Sequence, residues 1–345
     1  MVAPGDGVDG QVPESANLGE SMMIDAMDAN PFECAARDVA NHYGVKVEDV
    51  VPVPVQGQVN FTAYLGSELV VRIPRTPRAA EQLSKEARVI GLVRDAGIPT
   101  PELLRHDESL RVAGLPYMVQ QRARGATLAD QPPDPVALRR TYESLGRVLT
   151  SLHRIHRNST GPIESVPEPY TFSVTELVRD LSEAGEIGTA QRDWLLESFE
   201  LLQPDGPSSA DPVLLHRDVA PSNVMVDRDG TVTALLDWGC AEWGNPARDL
   251  VGIRIRSLPD VVSGYRSAVG AAPAGDPELT LERDALWYHR YLALARLLKR
   301  PSTSEDRNWA APRSASLVDF LEFTSSADAE PWSSLLRPFS LRDQP

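Results

Sequence analysis

The chain has 345 residues, 42% of them apolar, which suits two domains or one large bilobal unit with a sizeable core. Its 34 basic and 49 acidic residues give a net charge of −15, which argues against a nucleic-acid backbone or an anionic membrane surface as partner. The acidity is concentrated at the front: residues 1–50 hold ten carboxylates against Arg37 and Lys46, whereas residues 253–345 balance twelve basic against twelve acidic groups. Only Lys46, Lys85 and Lys299 are lysine, an Arg bias typical of a GC-rich genome. Cys34 and Cys240 are too few and too far apart for a disulfide framework or a zinc site, and are expected to be free thiols. The opening MVAPGDGVDG has neither a basic nor an apolar stretch, and no run approaches the roughly 18 apolar residues of a membrane helix. A soluble, cytoplasmic protein is expected.

Residues 1–20 are rich in Gly, Pro, Ser and acids, and predict a flexible leader. A short helix follows over Pro31–His42. Val51–Val55, Phe61–Leu65 and Leu69–Ile73 are β-rich runs separated by turn residues, an antiparallel meander. Pro77–Ala96 is helical, with Leu83, Ala87, Ile90 and Val93 on one face. Two more strands are expected at Leu103–Asp107 and Pro116–Gln121. Beyond Gly125 the pattern turns helical, over Pro135–Ile155, Glu176–Ala184, Thr189–Leu202, Arg283–Leu298 and Ser316–Ser325. It is interrupted by a strand pair, Val224–Asp227 and Val232–Leu236, around the Asp229-Gly230 turn. The order predicts an α+β fold of two lobes: a leader over 1–20, a small antiparallel-sheet lobe over 21–121, and a larger helical lobe over 122–345.

The densest chemistry lies in HRDVAPSNVMVD, residues 216–227, followed by LLDWG, residues 235–239. His216, Asp218 and Asn223 have the spacing H-x-D-x-x-x-x-N, and Asp237 follows Asp218 by nineteen residues. Phosphoryl transfer needs one carboxylate to orient the attacking hydroxyl, and an amide and a second carboxylate to hold Mg²⁺ on the nucleotide phosphates. Asp218 suits the first role. Asn223 and Asp237 suit the others, because the hairpin between them folds the chain back on itself. The chain has no G-x-x-x-x-G-K-[ST] motif.

These blocks, with GNPARDL over 244–250 and Leu145-Gly146-x-x-Leu149-x-x-Leu152-His153, resemble those of the aminoglycoside phosphotransferase family. The likeness covers about residues 50–300 and implies a protein-kinase-like bilobal fold. It departs from the family's H-G-D at Arg217. A kinase-like site calls for a cation on the third strand paired with a helix Glu. With lysine so scarce, Arg72 takes that place, and Glu86 is its partner. The resemblance puts the phosphate-covering loop at Gln56-Gly57-Gln58-Val59-Asn60, with Gln56, Gly57 and Asn60 as contacts. It puts the base against the lobe connection at Gln120, Gln121 and Arg122. His216 and Asp249 are expected to be structural bonding groups of the catalytic loop, and His153 and His156 packing and capping residues.

Only eleven residues separate Asp237 from Asp249 and no A-P-E follows, so there is no room for a peptide-docking segment and the acceptor should be a small molecule. Trp238 and Trp243 flank the metal region and read equally as core or as a wall of the acceptor pocket; by resemblance the acceptor site also draws on Trp287, Tyr288 and Tyr291, although core packing is the plainer expectation for these three. The L-D-W-G form and Val71-Arg72-Ile73-Pro74-Arg75 look most like macrolide kinases, which favour GTP. The resulting expectation is an antibiotic O-phosphotransferase using Mg²⁺ with ATP or GTP, as a monomer or homodimer. Its acceptor would be macrolide-like or a nucleoside such as a capuramycin. A metabolic kinase of choline, homoserine or a sugar is the alternative, and a non-catalytic nucleotide-binding regulator a further one. The charge-balanced last third favours a neutral or weakly charged acceptor over a polycation.

Overall fold

The structure is a computed structural model that describes residues 30–130, 134–202, 211–269, 279–299, 312–326 and 331–336. The leader expected over 1–20 lies outside the described residues. Helix α1, Pro31–His42, opens with the Asn30 side chain accepting from the Phe32 N–H and Pro31 in the first turn, where its missing N–H is harmless. Strands β1 (Val50–Pro52), β2 (Asn60–Leu65), β3 (Leu69–Pro74), β4 (Leu103–Asp107) and β5 (Tyr117–Gln121) form one antiparallel sheet in the order β1-β2-β3-β5-β4. The first strand stops short of Val55 because Pro52 and Pro54 have no N–H for a ladder.

The sheet is buried on both faces, and the two faces carry different jobs. Val71 and Ile73 of β3 pack with Phe61, Ala63, Val119 and the buried face of α1. The strand's period of two sends Arg72 to the other face, toward helix α2, Pro77–Asp95. On α2, Leu83, Val89, Ile90 and Val93 belong to the main core of the molecule. This helix therefore joins the sheet to the helical half.

That half contains helices α3 (Pro135–Leu152), α4 (Arg157–Thr160), α5 (Val174–Glu183), α6 (Thr189–Leu202), α7 (Leu258–Val269), α8 (Thr280–Leu297), α9 (Ala315–Ser326) and α10 (Trp332–Leu336). Two small sheets sit among them. Strands β6 (Ala126–Thr127), β8 (Val224–Val226) and β9 (Val232–Leu235) form one, and β7 (Val213–Leu215) with β10 (Glu242–Gly244) the other. The strand pair read from the sequence is β8–β9. Helix α3 ends at Leu152 rather than Ile155, because the Ile155 carbonyl is taken by the Leu214 N–H and His156 bridges to Val213.

Helix α7 was not legible in the sequence. Its 12 residues carry Pro259 in the first turn, where it is tolerated but reads in a sequence as a breaker, and Gly264 in the interior, which is poor for a helix in isolation. Packing against α3 compensates. A Cβ on Gly146 would overlap the Val261 carbonyl oxygen, and one on Gly264 would overlap the Glu143 carbonyl oxygen. The backbones of α3 and α7 thus touch through a glycine on each. Gly146→Ala or Gly264→Ala should each destabilise the fold by about 1–3 kcal/mol, because the obstruction is backbone and cannot rotate away. This exceeds the roughly 1 kcal/mol that Ala gains over Gly in helix propensity. Urea unfolding would show a lower midpoint at unchanged slope; an unchanged midpoint would mean the helices have room to part.

Candidate functional site

The site is assembled where β7 ends. The chain leaves Leu215 into His216-Arg217-Asp218, and a buried carboxylate holds that turn. Asp249, in the 3₁₀ turn Pro246–Gly252, accepts the His216 N–H at 2.9 Å and the Arg217 N–H at 2.6 Å. His153, just past the end of α3, bonds the same carboxylate through Nε2 at 3.0 Å, and its Nδ1 meets the Tyr265 hydroxyl at 3.1 Å. Burial works to raise the Asp249 carboxyl, but the His153 bond and the backbone donors outweigh it and hold it below the ordinary range. His153 and Asp249 are the structural groups the sequence implied. His156 pairs instead with Asp211 at 3.0 Å.

The clamp sustains an uncommon backbone. Arg217 has φ +69°, in the left-handed region where the resembling pattern has glycine. For a residue with a Cβ this conformation costs about 1–2 kcal/mol. Asp237, with φ +66°, lies in the same region. His216 links the two turns: its Nδ1 accepts the Asp218 N–H at 3.2 Å, its Nε2 donates to the Leu236 carbonyl at 2.9 Å, and its ring lies 4.5 Å from that of Trp238.

The hairpin does bring the three polar residues of the motif together. Asn223 Nδ2 donates to both the carbonyl and Oδ2 of Asp218, at 2.9 and 2.8 Å. The Leu236 N–H donates to the Asn223 carbonyl at 2.9 Å, which sets Asp237 beside Asn223. Burial pushes the Asp218 carboxyl above its ordinary value, against the opposing pull of His216. For Asp237, burial acts upward but the Arg72 guanidinium and the Gly239 N–H prevail, holding it low.

Arg72 closes the arrangement from the sheet side. Its Nη1 lies 2.5 Å from Glu86 Oε1 on α2, and its Nη2 lies 3.0 Å from Asp237 Oδ1. Burial alone would lower the Arg72 pKa, but the two carboxylates raise it. Glu86 is pushed up to about 7 by burial, resisted by Arg72. Lys85, which the sequence marked only as a helix residue, also turns inward and donates to the Ala241 carbonyl at 3.0 Å. Consecutive residues of α2 thus grip the Asp237 segment on both sides. Cys240 is a free, exposed thiol in that segment.

The remaining candidates divide. Gln56 braces the β1–β2 loop: its amide nitrogen donates to the Val53 and Thr62 carbonyls, and its oxygen accepts the Thr62 N–H. Gly57 stands open, with only the Asn60 carbonyl within van der Waals reach of an added Cβ. Asn60 is buried at the start of β2. Gln120 is buried in β5 between β3 and β4. The Gln121 N–H is taken by the Glu102 carbonyl and the Arg122 N–H by the Glu68 carbonyl. These two N–H groups are therefore occupied, which leaves the carbonyls of the connection to face a base, and the Arg122 guanidinium lies over the Tyr64 ring at 3.8 Å. The expected acceptor wall is corrected. Trp238 and Trp243 are 0% exposed, Trp287 2% and Tyr288 3%, so these rings are core and present no surface to a ligand. Tyr291 is half-buried, its hydroxyl donating to the Ser173 carbonyl. Unforeseen in the sequence are Glu242 and Arg248, which approach Arg217 from β10 and the Pro246–Gly252 turn.

The donor set suits a hard, phosphate-bound cation. Among the described residues no group of three or more His, Cys, Asp or Glu side chains could hold a metal. Asn223 uses its amide nitrogen on Asp218, so it is the amide oxygen that it can offer, beside the Asp237 carboxylate. One amide oxygen and one carboxylate fit Mg²⁺, which takes its other ligands from phosphate and water.

Among the described residues no helix is long and apolar enough to cross a membrane. YcbJ of Bacillus subtilis (strain 168), an uncharacterized protein, is 27% identical over 202 residues, which are 54% of this chain and 62% of the relative's length. Among solved structures, a variant of aminoglycoside 2'-phosphotransferase-IIIa bound to GDP superposes with a TM-score of 0.61 at 18% identity, over 87% of this chain and 100% of that one. The macrolide 2'-phosphotransferase of Brachybacterium faecium gives 0.55 at 20% identity, over 89% and 97%. At such identities these structures speak for the fold, the bilobal kinase-like α+β architecture. The phosphotransferase enzyme family (APH) matches residues 53–280, the stretch that holds Arg72, Glu86, Asp218, Asn223, Asp237 and Asp249, and the chain belongs to that family.

Proposed function

We propose that this chain is a small-molecule O-phosphotransferase that moves the γ-phosphoryl group of ATP or GTP to a hydroxyl of an antibiotic, macrolide-like or nucleoside. The observation that carries the reading is a pair of contact sets, Asn223–Asp218 in the catalytic loop and Asp237–Arg72–Glu86 toward the sheet, brought side by side by the Leu236 N–H bond to the Asn223 carbonyl. In this reading the sheet lobe ends near 121 and the helical lobe begins at 122. Arg72 holds phosphate oxygens, fixed by Glu86, with a planar fork suited to them. Asn223 and Asp237 hold Mg²⁺, which when bound neutralises charge on the phosphates. Asp218 accepts a hydrogen bond from the acceptor hydroxyl and aims its oxygen at the phosphorus. Its burial keeps it basic enough to take the proton as the new bond forms. Orientation and charge stabilisation supply most of the acceleration. A purely nucleotide-binding regulator would have no use for Asp218 held by both Asn223 and the clamp.

Purified protein with Mg²⁺ and ATP or GTP should consume nucleotide in the presence of an antibiotic acceptor, which gains the mass of one phosphoryl group. Asp218→Ala should lower kcat by about 10²- to 10⁴-fold while leaving the Kd of the Mg²⁺-nucleotide nearly unchanged. Asp237→Ala should weaken nucleotide binding as well. Undiminished turnover in Asp218→Ala would end the assignment. Arg72→Leu should destabilise the fold by about 3–5 kcal/mol at pH 8, where it strands an ionised Glu86. Glu86 already sits at about 7 and rises further without Arg72. Its penalty therefore grows as pH climbs above the unfolded carboxyl value and fades at acid pH, where the group is neutral in both states. Urea midpoints of the metal-free protein near pH 5.5 and pH 8 read this directly; equal losses would show that Glu86 is not ionised beside Arg72.

A further inference from the structure

Beside Asp218 lies a charged cluster that phosphoryl transfer itself does not use. Arg217 Nε is 2.8 Å from Glu242 Oε1, and Arg248 Nη1 pairs with the same oxygen. Two guanidinium groups therefore share one carboxylate. The other acids near the cluster are committed elsewhere. Asp249 is bound by His153 and two backbone N–H groups, and the buried Asp284 accepts from Asn245 at 2.7 Å. Glu242 is the one carboxylate paired directly with both guanidinium groups, so the Arg217 fork keeps donors to spare.

The two arginines are not equivalent. Arg248 is 4% exposed, stacked over Phe172 at 4.6 Å and 6.0 Å from the Tyr288 ring. It is a fixed base beneath the cluster. The Arg217 side chain is 23% exposed and can be reached from solvent. It is the residue next to Asp218 in the chain, so its side chain leaves the backbone directly beside the catalytic loop. The chain also bears a backbone penalty to have it there, since its φ of +69° is one that glycine would adopt freely.

We propose that Arg217, backed by Arg248, binds an oxyanion on the acceptor molecule, a carboxylate or a phosphate, while Asp218 orients the acceptor's hydroxyl. The inference rests on the phosphotransferase reading, and among its acceptors it sets aside the macrolide-like one, which carries an amine and no oxyanion. The guanidinium fork matches either oxyanion in a bidentate manner, and a partly desolvated setting strengthens the bond. A polycationic acceptor would meet repulsion at the same place.

The test fills the nucleotide site first, with Mg²⁺ and a non-hydrolysable triphosphate analogue, and reads that uptake by calorimetry. Inorganic phosphate and glycolate are then titrated separately while the arginine Nε–Hε resonances are followed by NMR. Wild type should bind at least one of them saturably. Arg217→Gly, which suits the local backbone and leaves Glu242 paired with Arg248, should weaken that binding about ten-fold or more, the worth of a charged hydrogen bond or two. Arg217→Lys, which keeps the charge without the fork, should fall between. Phosphate alone would point to a phosphorylated acceptor, and glycolate alone to a hydroxy acid. Binding of neither anion to the nucleotide-filled wild type, or equal binding in Arg217→Gly, overturns the proposal. Failure of the wild type to take up the Mg²⁺-nucleotide would overturn the phosphotransferase reading, and this one with it.

Discussion

The carboxylate of Asp249 is buried, and hydrogen bonds satisfy it. It receives the backbone of His216 and Arg217, and it receives His153 from the end of α3, which is held in turn by Tyr265 of α7. A buried carboxylate is tolerated only with such donors. Here the donors belong to two separate parts of the chain, and Tyr265 ties in a third through His153, so the need to satisfy one charge fixes where those parts meet. The contact of α3 and α7 through Gly146 and Gly264 brings His153 and Tyr265 within reach of each other. Without that approach the catalytic turn would lack its anchor.

A second constraint operates from the sheet. Arg72 and Lys85 are buried cations, and each has a partner that is part of the site. Arg72 lies between Glu86 and Asp237, and Lys85 caps the Ala241 carbonyl. Stability and function are coupled through these contacts, because the group that neutralises a buried charge is also the group that would meet nucleotide. Arg72 and Asp237 hold each other. In the proposed reading, phosphate and Mg²⁺ would offer each a partner of opposite charge in place of the other.

The elements that were legible in the sequence are those whose pattern is local. Helices α1, α2 and α6 and strands β2 to β5 follow from apolar periodicity and caps such as Thr76, whose hydroxyl accepts the Ala79 N–H. The three polar residues of the motif were legible because their spacing spans a single hairpin. Helix α7 was not, since a proline and a glycine hide it and only a neighbouring backbone makes it favourable. The tryptophans also misled. An indole near a catalytic motif reads equally as pocket wall or core, and burial alone decides between them. The connection after β5 was legible only in part, because whether an amide is free depends on which carbonyl passes beside it.

The sequence by itself determined the fold class and the motif whose spacing brings Asp218, Asn223 and Asp237 to one hairpin. Both follow from spacing along the chain. It also identified Arg72 and Glu86, since so few residues could have served in their place. Tertiary structure alone decided how charge is distributed around Asp218. Glu242 and Arg248 lie 24 and 30 residues beyond Asp218 in the chain, yet they converge on Arg217 because β10 pairs with β7 and the Pro246–Gly252 turn folds under the loop. Electrostatic interaction depends on distance in space and on burial, and neither quantity is written in the order of the residues.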